Sequence, residues 1–167
     1  MKIGLISDTH GYLEESIYTH FSTCDEVWHL GDVGSSLLLD KLQETFKLRT
    51  VFGNIDGYNI RIRTEEALVF TLEDKRFLLI HIAGKPPHYT KQVRSLIEAH
   101  HPDVLICGHS HILKIAHDTQ NKLLFVNPGA AGKHGFHKKK TLIRFEIEHG
   151  RIFNMEVIEL GNRSTSS

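Results

Sequence analysis

The chain has 167 residues, enough for one domain with a core of its own and too few for a comfortable second one. Lysine plus arginine equals aspartate plus glutamate at 20 each, so no overall field draws the protein to nucleic acid, a membrane surface or a polybasic partner. Two cysteines, Cys24 and Cys107, cannot build a disulfide framework or a zinc knuckle, whereas 13 histidines invite a search for metal or phosphate chemistry.

Met1 leads straight into the apolar run Ile3 to Ser7, and no later run reaches membrane-spanning length; a cytoplasmic protein without a leader is expected. Leu13, Ile17 and Phe21 then recur every four residues as in a helix, and Val27 to Leu30 reads as a second strand. Leu38, Leu42 and Phe46 mark another helix before the strand Leu48 to Phe52. The order βαβαβ implies a parallel sheet with right-handed crossovers. Ala67 to Leu72 and Phe77 to Ile82 flank the polar turn Glu73 to Arg76 as a hairpin. A helix around Val93, Leu96 and Ile97 stops at His101 and Pro102, and the strands Val104 to Cys107 and Ile112 to His117 follow. From Leu123 onward only strands are read: Leu123 to Val126, Thr141 to Glu148 and Arg151 to Leu160. Residues 1–160 form one domain in this reading, and the polar 161–167 a frayed, disordered tail. An α/β domain of two stacked mixed sheets between helices accommodates the order.

Five of these strands run into residues able to ligate a metal. The first meets Asp8 and His10, the second Gly31 and Asp32, and the third Gly53 and Asn54; two later ones meet His81, and Gly108, His109 and His111. In open α/β sheets the crevice beyond the carboxyl ends of the strands is where ligands bind, so distant residues can converge there. The glycines fit tight turns at such a rim. A lone aspartate after a strand usually caps a helix, and a lone histidine usually lies at the surface. Independent caps, however, have no reason to supply complementary ligands after five strands. Two carboxylates, four imidazoles and one amide carbonyl suit Mn²⁺, Fe²⁺, Zn²⁺ or Ni²⁺ better than Ca²⁺ or Mg²⁺. They suffice for two ions, and a pair roughly 3.5 to 4 Å apart can clamp a phosphate during in-line displacement.

DTHG at Asp8 to Gly11, GD at Gly31 and Asp32, GN at Gly53 and Asn54, His81, and GHSH at Gly108 to His111 resemble the motifs of the calcineurin-like metallophosphoesterases. The short length and NPG at Asn127 to Gly129 are similar to its small YfcE-like phosphodiesterase branch, and the resemblance runs to about Gly132. It implies a four-layer sandwich of two mixed sheets between helices. It also implies a phosphodiesterase in which Asp8, His10, Asp32 and His111 hold one divalent ion and Asn54, His81 and His109 complete the other. Asp32 would bridge them, Mn²⁺ would be the foremost metal, and a bridging hydroxide would attack phosphorus in a small diester. Two positions depart from the family pattern. Many members have a leaving-group histidine after the GN asparagine, where this chain has Ile55 and then Asp56; Asp56 joins Asp32 and Asn54 as a catalytic candidate. His81 is followed by Ile82, where glycine is usual.

The glycine-rich stretch after NPG adds Lys133 and His134, with His137 nearby, as candidates to grip a substrate phosphate beside Asn54. His29 is read as a hydrogen-bonded core residue, Cys107 as a buried thiol, and His20, His100, His101 and His149 as solvent-exposed. The competing function is a non-catalytic metal-binding scaffold of the retromer-subunit type. A nuclease lacks its basic track, and homo-oligomerisation is left open.

Overall fold

Alternation along the strands decides the layers. A computed structural model describes residues 1–163, and in it β1 (Lys2–Ile6), β2 (Glu26–His29) and β3 (Leu48–Thr50) pair in parallel. In β1, Ile3 and Leu5 point to one core and Ile6 to another, as the two-residue period of a strand requires. β4 (Ala67–Leu72) and β5 (Lys75–Ile80) form the expected hairpin, with Glu73 and Asp74 at φ 47° and 62° in the turn. In β5, Phe77 and Leu79 face the same core as Ile3 and Leu5, while Leu78 and Ile80 face away from it.

That shared core lies between two five-stranded sheets. One has the order β12-β11-β1-β2-β3, the other β4-β5-β8-β10-β9, with β8 at Val104–Ile106, β9 at Lys114–Asp118, β10 at Leu123–Asn127, β11 at Lys139–Glu148 and β12 at Arg151–Asn162. Trp28, fully buried, crosses the interface; its ring meets Phe77 at 5.0 Å and Phe70 at 5.2 Å edge to face. Helices α1 (Ser16–Phe21) and α2 (Ser36–Thr45) cover the outer face of the first sheet through Ile17, Phe21, Leu38, Leu39 and Leu42. Helix α4 (Lys91–His100) covers the second through Val93 and Ile97. It begins where Thr90 Oγ1 accepts from the Val93 N–H at 3.2 Å and ends at His101 in the left-handed region, just before Pro102. The result is the four-layer sandwich expected.

The differences are local. Leu13 precedes α1 rather than lying in it, and β3 stops at Thr50, with Val51 bridging to Glu65. The short helix α3 (Tyr58–Arg61) and the two-residue strands β6 (Gly84–Lys85) and β7 (His88–Tyr89) are too brief to carry a periodic signal. Gly161 and Asn162, read as tail, instead complete β12, and the Arg163 N–H donates to Lys138 O at 3.0 Å. The sequence pattern missed this because the pairing is made by the backbone and needs no apolar side chain. Residues 164–167 of the expected tail lie outside the described residues.

Candidate metal centre

The carboxyl ends of both parallel sets open onto one crevice. The first sheet delivers Asp8, His10, Asp32 and Asn54 on the loops after β1, β2 and β3, and the second delivers His81, His109 and His111 after β5 and β8. Ligand atoms of Asp8, His10 and His111 fall within 4.8 Å of one another, and so do those of Asp32, His81 and His109. Asp32 joins the two groups: its Oδ2 lies 3.6 Å from His10 Nε2 and its Oδ1 3.3 Å from His81 Nε2. Asn54 Oδ1 stands 3.2 Å from the same His81 nitrogen, and Asp8 Oδ1 lies 3.2 Å from His111 Nε2.

The backbone bends sharply to make this ring. Asp8, His10, Asp32, His109 and His111 all have φ between 48° and 67°, a region costly for residues with a Cβ and often retained at functional sites. Gly31 supplies the tight turn expected of it, at φ 95°. Gly53 and Gly108 have a different reason: a Cβ at Gly53 would fall on Asp32 Oδ1, and one at Gly108 on Ser7 Oγ. Those loops must therefore approach the ligands without a side chain. Outer hydrogen bonds aim the carboxylates. Asp8 Oδ2 accepts from Ser7 Oγ at 2.6 Å and from the His109 N–H at 3.1 Å, and Asp32 Oδ1 accepts from the Ile55 N–H at 3.0 Å.

The donor set fits divalent ions. Asp8 Oδ1 and His10 Nε2 are buried yet have no hydrogen-bond partner among the described residues, which is expensive unless something else fills the space between them. His81 Nδ1 donates to Leu30 O at 2.6 Å, leaving Nε2 facing oxygens of Asp32, Asn54 and Asp8. Burial alone would lower the His81 pKa, but hydrogen bonding to Asp32 and the charges of Asp8 and Asp32 outweigh it and hold the ring above its ordinary value. For Asp32, burial works upward and the same His81 contact prevails, so its carboxyl stays below the usual range. Burial lowers His10 despite both nearby carboxylates. Such oxygens call for a cation at the centre.

Other candidates divide. His134 is exposed, its ring 5.6 Å from that of His10, at the mouth of the crevice. Lys133 is exposed, with its ammonium 3.9 Å from the centroid of the Tyr12 ring. Asp56, expected in catalysis, is otherwise occupied: its buried carboxylate accepts from the backbone N–H groups of Val33, Gly34 and Gly53 at 3.2, 2.8 and 2.8 Å. It ties the loops after β2 and β3 together. An acid beside an asparagine in a strand-end loop looks the same in sequence whether it faces substrate or backbone. His137, read as a phosphate grip, lies behind His111, with their Nδ1 atoms 3.2 Å apart. His29 is a core residue as expected; its Nε2–H donates to Thr9 Oγ1 at 2.9 Å, and Thr9 donates onward to Val33 O, steadying both aspartate loops. Burial pushes His29 down to about 4 and the Cys107 thiol up to about 12. His20, expected at the surface, is half-buried.

Two mixed sheets between helices, carrying histidines and carboxylates at their shared carboxyl-end crevice, define a metal-dependent phosphoesterase. The chain belongs to the calcineurin-like phosphoesterase superfamily, whose domain model matches residues 1–150. It is 35% identical over 136 residues to a protein of Methanocaldococcus jannaschii named as a probable metallophosphoesterase, covering 78% of this chain and 68% of the relative. A Mycoplasma pneumoniae protein of the same designation is 30% identical over 160 residues, covering 92% of this chain and 94% of its own. Among solved structures, a novel archaeal phosphodiesterase superposes with a TM-score of 0.74 at 20% identity, covering 96% and 100% of the two chains. Vps29 of Entamoeba histolytica gives the same TM-score and coverage at 18% identity. Those two likenesses speak for the fold alone.

Proposed function

We propose that the protein is a two-metal phosphodiesterase acting on small organic phosphate diesters. The observation that carries this reading is the division of the Asp32 carboxylate, with Oδ2 toward the Asp8, His10 and His111 group and Oδ1 toward His81, which sits with His109 and Asn54. Asp8, His10, His111 and Asp32 would hold one ion, and Asp32, His81, His109 and Asn54 the other. When bound, two divalent ions supply positive charge for the phosphate and make hydroxide available near neutral pH; Mn²⁺ is the first choice for this donor set. The chain's own residues do the rest. Ser7 and the His109 and Ile55 amides hold the carboxylates in place, and the His81 contact with Leu30 O presents its Nε2 to the crevice. His134, exposed beside His10, would meet a substrate oxygen, with the Lys133 ammonium of the same loop as a second contact. Asn54 is exposed at the opposite group and can reach both ion and phosphate.

The scaffold reading finds support in the Vps29-like fold, but a scaffold has no need of seven converging ligands or of buried polar atoms left without hydrogen bonds. The discriminating experiment loads the purified protein with Mn²⁺, Fe²⁺, Ni²⁺ or Zn²⁺ in turn and measures hydrolysis of bis(4-nitrophenyl) phosphate and 4-nitrophenyl phosphate beside metal content. Diester hydrolysis is expected to exceed monoester hydrolysis. Asp32→Ala should release both ions and nearly all turnover, whereas Asp8→Ala and His10→Ala should keep one ion and some turnover. An Asp32→Ala protein with full metal and normal rate would overturn the bridging assignment, and inactivity with every metal would favour the scaffold.

A further inference from the structure

A cleft of about 450 Å³ adjoins the metal centre, lined by the segment after β5 from Ile82 to Thr90, the loop after β8 from Gly108 to Ile112, and Lys114 at the start of β9. His109 is part of its wall and of the second ligand group, so the cleft borders the metal centre at that residue. We propose that this cleft is a subsite for one arm of the substrate, an arm bearing a flat ring and a second phosphate, as in a phosphorylated nucleoside diester. The proposal rests on the phosphodiesterase reading and names the substrate class within it.

Charge is the first argument. Lys85 and Lys114 line the cleft and, among the described residues, no carboxylate does, in a chain whose acids and bases are equal in number. Lys85 and Lys114 are exposed and, among the described residues, have no acidic partner within ion-pairing distance. Cationic side chains gathered without counter-charge beside a phosphoesterase centre complement a further anion. The second argument is the apolar part of the wall. Ile82 and Ile112, one from each loop, are 38% and 65% exposed, with Ala83 and Phe125 buried in the same lining. Exposed isoleucines bounding a concave space of a few hundred Å³ suit a ring that excludes water from them. Ile82 is also the residue that replaces the usual glycine after the ligand histidine.

The neighbouring cleft of about 170 Å³ offers a contrast. Ile82 lines it too, but its cation Arg61 is committed to Gly53 O and Asp56 O, and Glu66 adds negative charge. A second phosphate is therefore directed past His109 rather than past Asn54.

The test compares two esters with the same scissile group, thymidine 5′-(4-nitrophenyl phosphate) with a free 3′-hydroxyl and the same compound with a 3′-phosphate. With the Mn²⁺-loaded wild type, the 3′-phosphate should raise kcat/KM about fivefold or more, the yield of a pair of solvent-exposed ion contacts. In a Lys85→Ala/Lys114→Ala protein the ratio should fall to about one. Each ratio is internal to one protein, so loss of metal or of folded material lowers both rates and leaves it unaltered. Calorimetric binding of thymidine 3′,5′-bisphosphate against thymidine 5′-monophosphate gives the same comparison without turnover, and Ile112→Ser should weaken both nucleotides. Equal rates and equal affinities for the two members of each pair, or a preference that survives the double substitution, would overturn the subsite. Absence of hydrolysis with a retained binding preference would instead sink the phosphodiesterase reading and leave the anion site standing.

Discussion

His111 Nδ1 lies 3.2 Å from His137 Nδ1, and His137 Nε2 lies 3.0 Å from Gly132 O. A carbonyl only accepts, so the His137 proton is on Nε2, its Nδ1 is the acceptor, and His111 donates from Nδ1. The lone pair of His111 Nε2 then faces the Asp8 carboxylate, the tautomer a metal ligand needs. Burial holds the His137 ring below its ordinary pKa, a shift that favours the neutral form this contact needs. His137→Ala should weaken metal binding by about tenfold to a hundredfold. In His137→Asn the amide oxygen can take the place of Nδ1 and should restore most of the loss. Competition against a chelator of known affinity measures all three proteins, and equal affinities would remove the relay.

Asp56 should behave as a structural residue. Asp56→Ala leaves the N–H groups of Val33, Gly34 and Gly53 without their acceptor and is expected to cost about 3 kcal/mol, given roughly 1–3 kcal/mol for each buried group left unsatisfied and partial access of water. For a domain of this size that lowers Tm by about 10 °C. Thermal unfolding of the metal-free protein is the measurement. An unchanged Tm with lost turnover would return Asp56 to the catalytic set.

The contrast between Asp56 and Asp32 shows what sequence could and could not supply. Both follow apolar strands in glycine-containing loops, and only the fold reveals that one carboxylate faces ligands and the other backbone. The two sheets were legible because strands such as β5 alternate between two cores, and the ligand ring because each ligand closes a strand. His137 was not, since its role depends on packing behind a histidine 26 residues away. The end of β12 escaped for a related reason: Gly161 and Asn162 pair through their backbone and leave no apolar mark.

Glu26 predicts how the metal-free protein responds to acid. Its side chain is fully buried, which would raise its pKa. Arg49 at 2.7 Å, Lys47 at 2.8 Å and the Trp28 indole N–H at 2.9 Å more than reverse this and bring it from its ordinary 4.5 to about 2. A depressed folded-state value means stability that is fully present above about pH 4.5 and is lost as the pH falls toward 2. The drop corresponds to a contribution on the order of 3 kcal/mol. Denaturant unfolding of wild type and Glu26→Gln with chelator present should show a stability difference that shrinks steadily from pH 5 down to pH 2.5. A difference independent of pH over that interval would contradict the assignment.

On the phosphodiesterase reading, Ile55 should set how the leaving group departs. Its side chain is 47% exposed and its N–H holds Asp32 Oδ1, so the backbone at this position serves the metal centre while the side chain has no proton to give. Expulsion of the departing oxygen must then rely on that oxygen's own stability, or on His134 across the crevice beside His10. General acid assistance is typically worth roughly a hundredfold to ten-thousandfold, so its absence should appear as a steep dependence of rate on leaving-group pKa. Activated aryl diesters should react much faster than alkyl diesters. Ile55→His keeps the backbone contact to Asp32 and adds a donor, so it should flatten that dependence and speed the alkyl esters most. His134→Ala separates the remaining possibilities: if His134 already donates the proton, the wild-type series is shallow and becomes steep in this variant. The measurement is a leaving-group series on all three proteins with metal content matched. Shallow slopes in every one would mean that the proton comes from a group other than these two, and the account of Ile55 would be wrong.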